Sequence, residues 1–144
     1  MKTILISAAI AALSATPLLA ESHASGDAAA GEKAFKGCQA CHVVVNDAGE
    51  TLAGKNAKTG PNLYGVAGRH AGAVADFNYS KGMVESGEAG LVWDEASFVA
   101  YVQDPTGFLR EHSGDAKARS KMSFKVRKEQ EAIDLYAYLS SLAQ

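Results

Sequence analysis

The stretch GCQACH, residues 37–42, contains both cysteines of the 144-residue chain, and a histidine follows the second cysteine directly. A disulfide within this spacing would close a very small ring and constrain little of the chain. A structural zinc site needs four ligands, normally from two such pairs, and the other histidines, His23, His70 and His112, lack metal-ligand spacing. A thioredoxin-like dithiol would begin a helix that follows a strand, whereas this pair follows a helix-forming segment.

The remaining use of the motif is covalent attachment of haem. Two thiols three residues apart can bond the two vinyl groups of one porphyrin, and the next residue then reaches the iron. The pattern therefore predicts one haem c per chain, attached through Cys38 and Cys41 and bound at the iron by His42. A haem-free dithiol oxidoreductase remains as a rival interpretation of the same residues.

The second axial position of the iron decides between a carrier and an enzyme. If a side chain fills it, the iron can only pass electrons, and if it is open, the iron can bind oxygen, peroxide or carbon monoxide. The candidates for this position are His70, His112, Met83 and Met122. Met122, within SKMSF at 120–124, lies between a loop and the last predicted helix. It is either a ligand of the iron or a side chain that fills a gap in the core. Met83 lies in a predicted loop, and His70 and His112 are expected to be solvated.

The N-terminus is typical of a secretory signal peptide. Lys2 provides a positive start, Ile4–Ala15 are apolar or small, and a proline follows. This run is too short for a membrane span of about 20 residues. Cleavage is expected after Ala20 or Ala24, which removes residues 1–20 or 1–24 and leaves residues 25–144 as a single domain. We expect the mature chain to be soluble and periplasmic.

The rest of the chain predicts an all-α fold with long loops. Asp27 and Asp94 are candidate N-caps, Pro105 closes the second helix, and Val43–Val45 look strand-like but are too short to build a sheet. A small chain with so few regular elements needs an internal staple or a large buried group. The predicted helices are residues 28–36, 95–104 and 129–142.

The charge of the chain is unevenly distributed. The formal net charge is only −2, from 14 basic and 16 acidic side chains. Between Asp115 and Lys128, however, six basic side chains stand against a single acid. We therefore expect one basic face.

At this point the chain resembles the class I c-type cytochromes, and most closely the long bacterial periplasmic subgroup called cytochrome c2. The resemblance covers essentially the whole chain after the signal peptide, and its pieces occur in family order. They are GEKAFKGCQACH (31–42), KTGPNLYGVAGR (58–69), FNYSKG (77–82), Trp93, YVQDP (101–105), SKMSF (120–124) and DLYAYL (134–139).

The resemblance implies the small cytochrome c fold, in which the N- and C-terminal helices pack across each other around one covalently bound haem. It implies that Cys38 and Cys41 carry the haem, that His42 is the proximal ligand and that Met122 is the distal ligand. It also implies that the Pro61 carbonyl accepts a hydrogen bond from the other ring nitrogen of His42, which would orient the imidazole.

Four further side chains match family positions around the haem. By resemblance, Arg69, Tyr79 and Trp93 surround the propionates, which need donors of this kind if they are buried. Tyr101 matches the tyrosine near the ligating sulfur. Taken alone, Arg69 could be a surface charge, and the aromatic residues could be ordinary core. Compared with short family members, the chain has extra residues at 47–55, around 85–90 and at 111–119, and the last two insertions are expected to be loops.

The function implied is a soluble mono-haem electron carrier and not an enzyme. By resemblance, a cytochrome bc complex would be the donor and a photosynthetic reaction centre or terminal oxidase the acceptor. Phe124 would lie beside an exposed haem edge. The alternative is a haem enzyme or gas-binding protein with an open sixth position. We expect a monomer without a nucleic-acid partner, and a basic docking surface that includes Lys58, Lys121, Lys125, Arg127 and Lys128, with Lys36 and Lys55 as further members.

Overall fold

The computed structural model describes residues 24–144. The signal peptide predicted at 1–20 lies outside the described residues. Of the alternative signal peptide, 1–24, only residue 24 is described. The described chain folds into five helices and one two-stranded sheet. In chain order these are α1 (Ala28–Phe35), β1 (Val44–Val45), β2 (Thr51–Ala53), α2 (Lys81–Glu88), α3 (Glu95–Gln103), α4 (Pro105–His112) and α5 (Glu129–Ser141).

Helix α1 confirms the first predicted helix and its cap. The Asp27 carboxylate accepts hydrogen bonds from the backbone N–H groups of Ala29 (2.8 Å) and Ala30 (3.3 Å). These groups have no partner within the helix, so the cap stabilises the helix start. The helix ends at Phe35, and the chain passes directly into the cysteine motif.

Helix α1 crosses α5, as the resemblance to the cytochrome c fold implied. Gly31 lies directly against the backbone of Asp134, and the rings of Phe35 and Tyr138 pack with their centroids 5.7 Å apart. The backbone N–H of Asp27 donates to the Asp134 carboxylate over 2.9 Å. Contacts of three kinds therefore hold the two ends of the domain together.

A β-hairpin follows the cysteine motif. Strand β1 pairs antiparallel with β2, and the Asn46 side chain holds the turn by accepting from the N–H groups of Ala48 (3.1 Å) and Glu50 (2.9 Å). The predicted loop at 47–55 thus contains the hairpin turn and the second strand. The inserted residues supply the partner that the Val43–Val45 segment lacked.

Helix α2 was not predicted, and the expectation of a loop around residues 85–90 was wrong up to Glu88. Ser80 caps the helix by accepting from the Met83 N–H at 3.3 Å. Two glycines hide the helical pattern, but the packing requires both. A Cβ on Gly82 would crowd the Ala118 side chain, and a Cβ on Gly87 would overlap the Ala71 carbonyl.

Helix α4 was also missed. Pro105 ends α3, as predicted, but it also occupies the first turn of α4, where a proline is well tolerated because it lacks only an N–H that has no helical partner. The predicted loop at 111–119 therefore begins in the last turn of a helix. It is held back against that helix by Arg110, whose Nε donates to the Ala118 carbonyl over 3.2 Å.

Helices α3 and α5 confirm the other two predictions. Asp94 caps α3 by accepting from the Ser97 N–H at 2.7 Å. Tyr136 on α5 is buried and donates its hydroxyl to the Trp93 carbonyl over 3.1 Å, which joins α5 to the segment ahead of α3. Within residues 24–144, none of the helices has the length and apolar character needed to cross a membrane.

Substituting Gly31→Ala tests the crossing of α1 and α5. Alanine in place of glycine normally stabilises a helix interior by about 1 kcal/mol. Here the added Cβ would enter the Asp134 carbonyl, so we expect the free energy of unfolding to fall by about 1–3 kcal/mol. Denaturant titration measures this change. The exposed Ala29→Gly variant of the same helix reports propensity alone, and a Gly31→Ala protein as stable as wild type would contradict the close packing.

Candidate haem-binding site

One cavity of about 300 Å³ lies at the centre of the domain. This volume is at the lower end of the range for ligand pockets. Its wall is largely apolar and includes Phe98 from α3 together with Leu135 and Leu139 from α5. All nine predicted site residues line it: Cys38, Cys41, His42, Pro61, Arg69, Tyr79, Trp93, Tyr101 and Met122.

Both cysteines and the histidine lie on a single turn of the backbone. The Cys38 carbonyl accepts from the N–H groups of Cys41 (3.1 Å) and His42 (2.9 Å). Burial, the Glu131 carboxylate and Cys41 together raise the pKa of the Cys38 thiol to about 11. A thiol-disulfide enzyme needs the opposite shift, because the thiolate is the nucleophile. The environment of Cys38 therefore argues against the dithiol oxidoreductase.

The His42 ring is held on one side by a loop at residues 59–61. Its Nδ1 lies 2.9 Å from the Pro61 carbonyl oxygen, an acceptor, so Nδ1 carries the proton. Gly60 packs so tightly on the ring that a Cβ there would overlap it, and the Gly60 N–H donates to the Cys41 carbonyl over 2.7 Å. Burial lowers the pKa of His42, opposed by the bond to Pro61. A neutral imidazole with Nδ1 protonated offers Nε2 to a metal.

Met122 lies on a loop that is fixed by hydrogen bonds to its backbone. The Ser120 hydroxyl oxygen accepts from the Met122 N–H at 3.0 Å and lies 2.9 Å from the Tyr101 hydroxyl. The Ser120 N–H donates to Thr106 Oγ1 over 3.2 Å. Burial raises the pKa of Tyr101, so its phenol stays protonated. The Tyr101 hydroxyl thus contacts Ser120, two positions before Met122.

Two lysines tie the same loop to its surroundings. Lys121 Nζ donates to the Asn78 carbonyl at 2.5 Å, and Lys125 Nζ lies 2.8 Å from Asp104 Oδ1 at the junction of α3 and α4. This pairing helps to hold the pKa of Asp104 below its usual range. The segment around Met122 is thus tied both to the chain ahead of α2 and to the junction of α3 and α4.

The four candidates for the second axial position separate into two groups. His70 and His112 are exposed and lie outside the cavity lining, as expected for solvated side chains. Met83 and Met122 both line the cavity, and Met83 is only 7% exposed. The expectation that Met83 lies in a loop was wrong, since it belongs to α2.

The cavity has one polar wall. The Arg69 guanidinium donates to the carbonyls of Tyr64 (2.7 Å) and Asn62 (3.1 Å), and its burial lowers its pKa. Burial also raises the pKa of Tyr79. A half-buried cation near a phenol can pair with carboxylates, which haem carries as its propionates.

These observations fit a covalently bound haem. The apolar wall matches the porphyrin, the polar wall matches its carboxylates, and two thiols and a neutral imidazole lie together on one side. Sequence reasoning missed Ser120 and Gly60, which hold the segments carrying Met122 and His42. Both stand within two residues of a predicted site residue, but only their contacts reveal a role.

No protein-family model matches the chain, but several known proteins are similar to it. Cytochrome c2 of Rhodovulum adriaticum is 68% identical over 118 residues, which is 82% of this chain and 94% of the relative. Cytochrome c2 of Cereibacter sphaeroides is 60% identical over 137 residues, covering 94% and 92% of the two chains. The chain belongs to the cytochrome c2 family.

Solved structures of cytochromes c2 have the same fold. The X-ray structure of cytochrome c2 from Rhodobacter sphaeroides is 61% identical, with a TM-score of 0.81 over 83% of this chain and 98% of that one. For cytochrome c-550 from Paracoccus versutus the identity is 44% and the TM-score 0.77, over 83% of this chain and all of the other. As a cytochrome c2, the chain is a mono-haem electron carrier with covalently attached haem c. The predicted family, fold, carrier function and cofactor are confirmed.

Ser120→Ala tests how the Met122 loop is held. The change removes the acceptor of the Met122 N–H and the partner of the Tyr101 hydroxyl, so we expect a loss of about 1 kcal/mol in unfolding free energy. The amide of Met122 should also exchange faster with solvent, which NMR hydrogen exchange measures. Ser123→Ala, in the same loop at an exposed position, is the matched control. Equal protection of the Met122 amide in both variants would contradict this role of Ser120.

Proposed function

We propose that this cytochrome c2 is a soluble periplasmic protein that takes one electron from a cytochrome bc complex and delivers it to a photosynthetic reaction centre or a terminal oxidase. On export, the signal peptide at 1–20 or 1–24 would be removed, leaving residues 25–144 as a monomeric domain. The observation that carries the proposal is the single cavity lined by both cysteines, His42 and Met122.

In this proposal Cys38 and Cys41 form the thioether bonds, His42 binds the iron through Nε2, and the Met122 sulfur completes the coordination. The bound haem supplies a one-electron ferric/ferrous couple. His42 is suited to its role because the bond to Pro61 fixes its tautomer and ring orientation. A thioether is a soft, weak donor that favours ferrous iron, so Met122 would raise the reduction potential.

Met122 is preferred to Met83 because of where each lies. Met83 is in the first turn of α2, packed into the hydrophobic core, where methionine commonly fills gaps. Met122 lies on an irregular segment that is held by hydrogen bonds from Ser120 to α4 and from Lys121 to the chain ahead of α2. It also stands within SKMSF at 120–124, one of the pieces that resembles the family.

The remaining predicted residues would set the surroundings of the haem. Arg69, Tyr79 and Trp93 would face the propionates, and Tyr101 would lie near the methionine sulfur. Arg69 supports this assignment because it lines the cavity, and its bonds to the Tyr64 and Asn62 carbonyls use only two of its five N–H donors. The apolar walls exclude water, which disfavours the extra positive charge of ferric iron.

The docking surface would lie where the cavity reaches solvent. Phe124 lines the cavity and is 50% exposed, so this side chain borders both the cavity and solvent. Exposed basic side chains stand near it in sequence, and such a cluster attracts acidic partners over long range. The proposed surface consists of Lys58, Lys121, Lys125, Arg127 and Lys128, with Lys36 and Lys55 as further members, and all of these are exposed.

Met122→Ala tests the ligand assignment. The variant should bind about one carbon monoxide per reduced haem, and its reduction potential should fall because the thioether is lost. Spectrophotometric titration with carbon monoxide and a redox titration measure both effects. Met83→Leu removes the other methionine of the cavity and should leave the iron closed. If the Met83→Leu variant binds carbon monoxide, the methionine ligand was misassigned. Rapid carbon monoxide binding by the wild type would instead favour an iron with an open sixth position.

Charge reversal tests the docking surface. Lys121→Glu with Lys125→Glu should slow electron transfer to a purified reaction centre strongly at low salt and only weakly near 1 M salt, because the attraction is screened. Stopped-flow rates over a range of ionic strength measure this dependence. Lys117→Glu, exposed but outside the cavity lining, is the control. A slowing that is equal at all salt concentrations would exclude electrostatic steering.

A further inference from the structure

The Asn62 side chain takes the place of a strand partner for β1. Its Oδ1 accepts from the Val45 N–H at 2.9 Å, and its Nδ2 donates to the Val45 carbonyl over 2.7 Å. Rotating the amide by half a turn would place like groups against each other at both contacts. The orientation of the Asn62 amide is therefore determined by the hairpin.

The same amide oxygen also fixes the backbone of its own loop. Oδ1 accepts a further hydrogen bond from the Tyr64 N–H at 3.1 Å, two residues along the chain. A side chain that bonds the backbone in this way stabilises a tight turn. The conformation of residues 62–64 is thus connected to β1 through one side chain.

The turn at 62–64 presents two carbonyls to one cation. The Asn62 carbonyl accepts from Arg69 Nη2 at 3.1 Å, and the Tyr64 carbonyl accepts from Arg69 Nη1 at 2.7 Å. Two bonds to a planar guanidinium fix both its position and its plane. Arg69 lines the cavity together with Pro61 and Leu63, whereas Asn62, between them, does not.

We propose that Asn62 is a positioning residue that holds the Arg69 guanidinium at the haem cavity and thereby contributes to the reduction potential. Asn62 does not line the cavity, so it acts through the carbonyl pair and not by touching the haem. The hairpin is the rigid base of the arrangement, because both hydrogen bonds from the Asn62 amide to Val45 end on β1. The inference rests on the proposed function, in which Arg69 faces the haem propionates.

The direction of the effect follows from charge. A guanidinium held near the haem favours ferrous iron, which carries one positive charge fewer than ferric iron. Without the Asn62 side chain, the carbonyls at 62 and 64 are no longer held in place. The guanidinium can then move toward solvent, where water screens its charge. The ferric form is stabilised relative to the ferrous form.

The experiment compares substitutions of two asparagines whose side chains bond to the hairpin, Asn62 from the following loop and Asn46 within the hairpin turn. In Asn62→Ala we expect the ferrous-to-ferric ratio, at a fixed mediator potential, to shift about threefold toward ferric. Asn46→Ala removes three side-chain hydrogen bonds from the hairpin turn and should leave the ratio unchanged. An unchanged ratio in Asn62→Ala, or equal shifts in both variants, would overturn the proposal.

A double-mutant cycle tests whether the effect passes through Arg69. In an Arg69→Met background, adding Asn62→Ala should cause no further shift. A shift that persists would come through another route, such as the neighbouring Pro61 and His42, and would contradict the assignment. If Asn62→Ala does not fold, Asn62→Ser is measured instead, because a serine hydroxyl replaces the bond to the Tyr64 N–H only weakly. Asn62→Ser should then shift the ratio in the same direction by less.

Two spectra keep this proposal separate from the carrier function. Covalent haem is checked by a pyridine haemochrome assay, and the sulfur–iron bond by its absorption band in the ferric protein. If wild type and variants all show both signals while the ratio does not respond to Asn62, the positioning role fails and the carrier function stands. If the wild type lacks either signal, the proposed function fails instead.

Discussion

The hydrogen bond between His42 Nδ1 and the Pro61 carbonyl connects the two halves of the site. On one side of it lies the turn after α1, which carries both cysteines and the histidine. On the other lies the loop that leads through residue 62 to Arg69. Gly60 packs so closely on the imidazole that a side chain at 60 would overlap the ring. A single 2.9 Å contact thus joins the proposed iron ligand to the loop that leads to Arg69.

The opposite side of the cavity is organised differently. There the chain from residue 120 to 126 has no regular structure and depends on hydrogen bonds to three separate neighbours. Ser120 contacts α3 and α4, Lys121 contacts the segment before α2, and the Val126 N–H donates to the Val102 carbonyl of α3. A loop supported in this way can place one side chain accurately without a helix or strand of its own.

Much of the fold could be predicted from local signals. Asp27 and Asp94 identified the starts of α1 and α3, and helical periodicity identified α5. Helices α2 and α4 were missed because Gly82, Gly87 and Pro105 are typical of turns, while here they serve close packing and a helix start. Local sequence patterns do not report which neighbour a glycine must make room for.

The residues of the site whose spacing along the chain is dictated by the chemistry of the cofactor could be predicted from the sequence. Residues without such a fixed spacing could not. In the proposed site the dimensions of the porphyrin set the spacing of Cys38, Cys41 and His42, so their pattern is visible in the sequence. The Asn62 side-chain amide bonds to the N–H and the carbonyl of Val45, 17 positions earlier, as the backbone of a neighbouring strand would. That pairing has no period and no fixed spacing, so only the folded structure shows it.

The ion pair between Lys125 and Asp104 has a consequence for how a mobile carrier leaves its partner. An acidic group on another protein that binds Lys125 must first displace the carboxylate that the chain itself supplies at 2.8 Å. When the complex loosens, Asp104 is already in place to recapture the ammonium group. If Lys125 belongs to the docking surface, as proposed, the intramolecular carboxylate would lower the gain from each encounter and shorten its lifetime. A protein that must exchange partners after every electron benefits from such a built-in competitor.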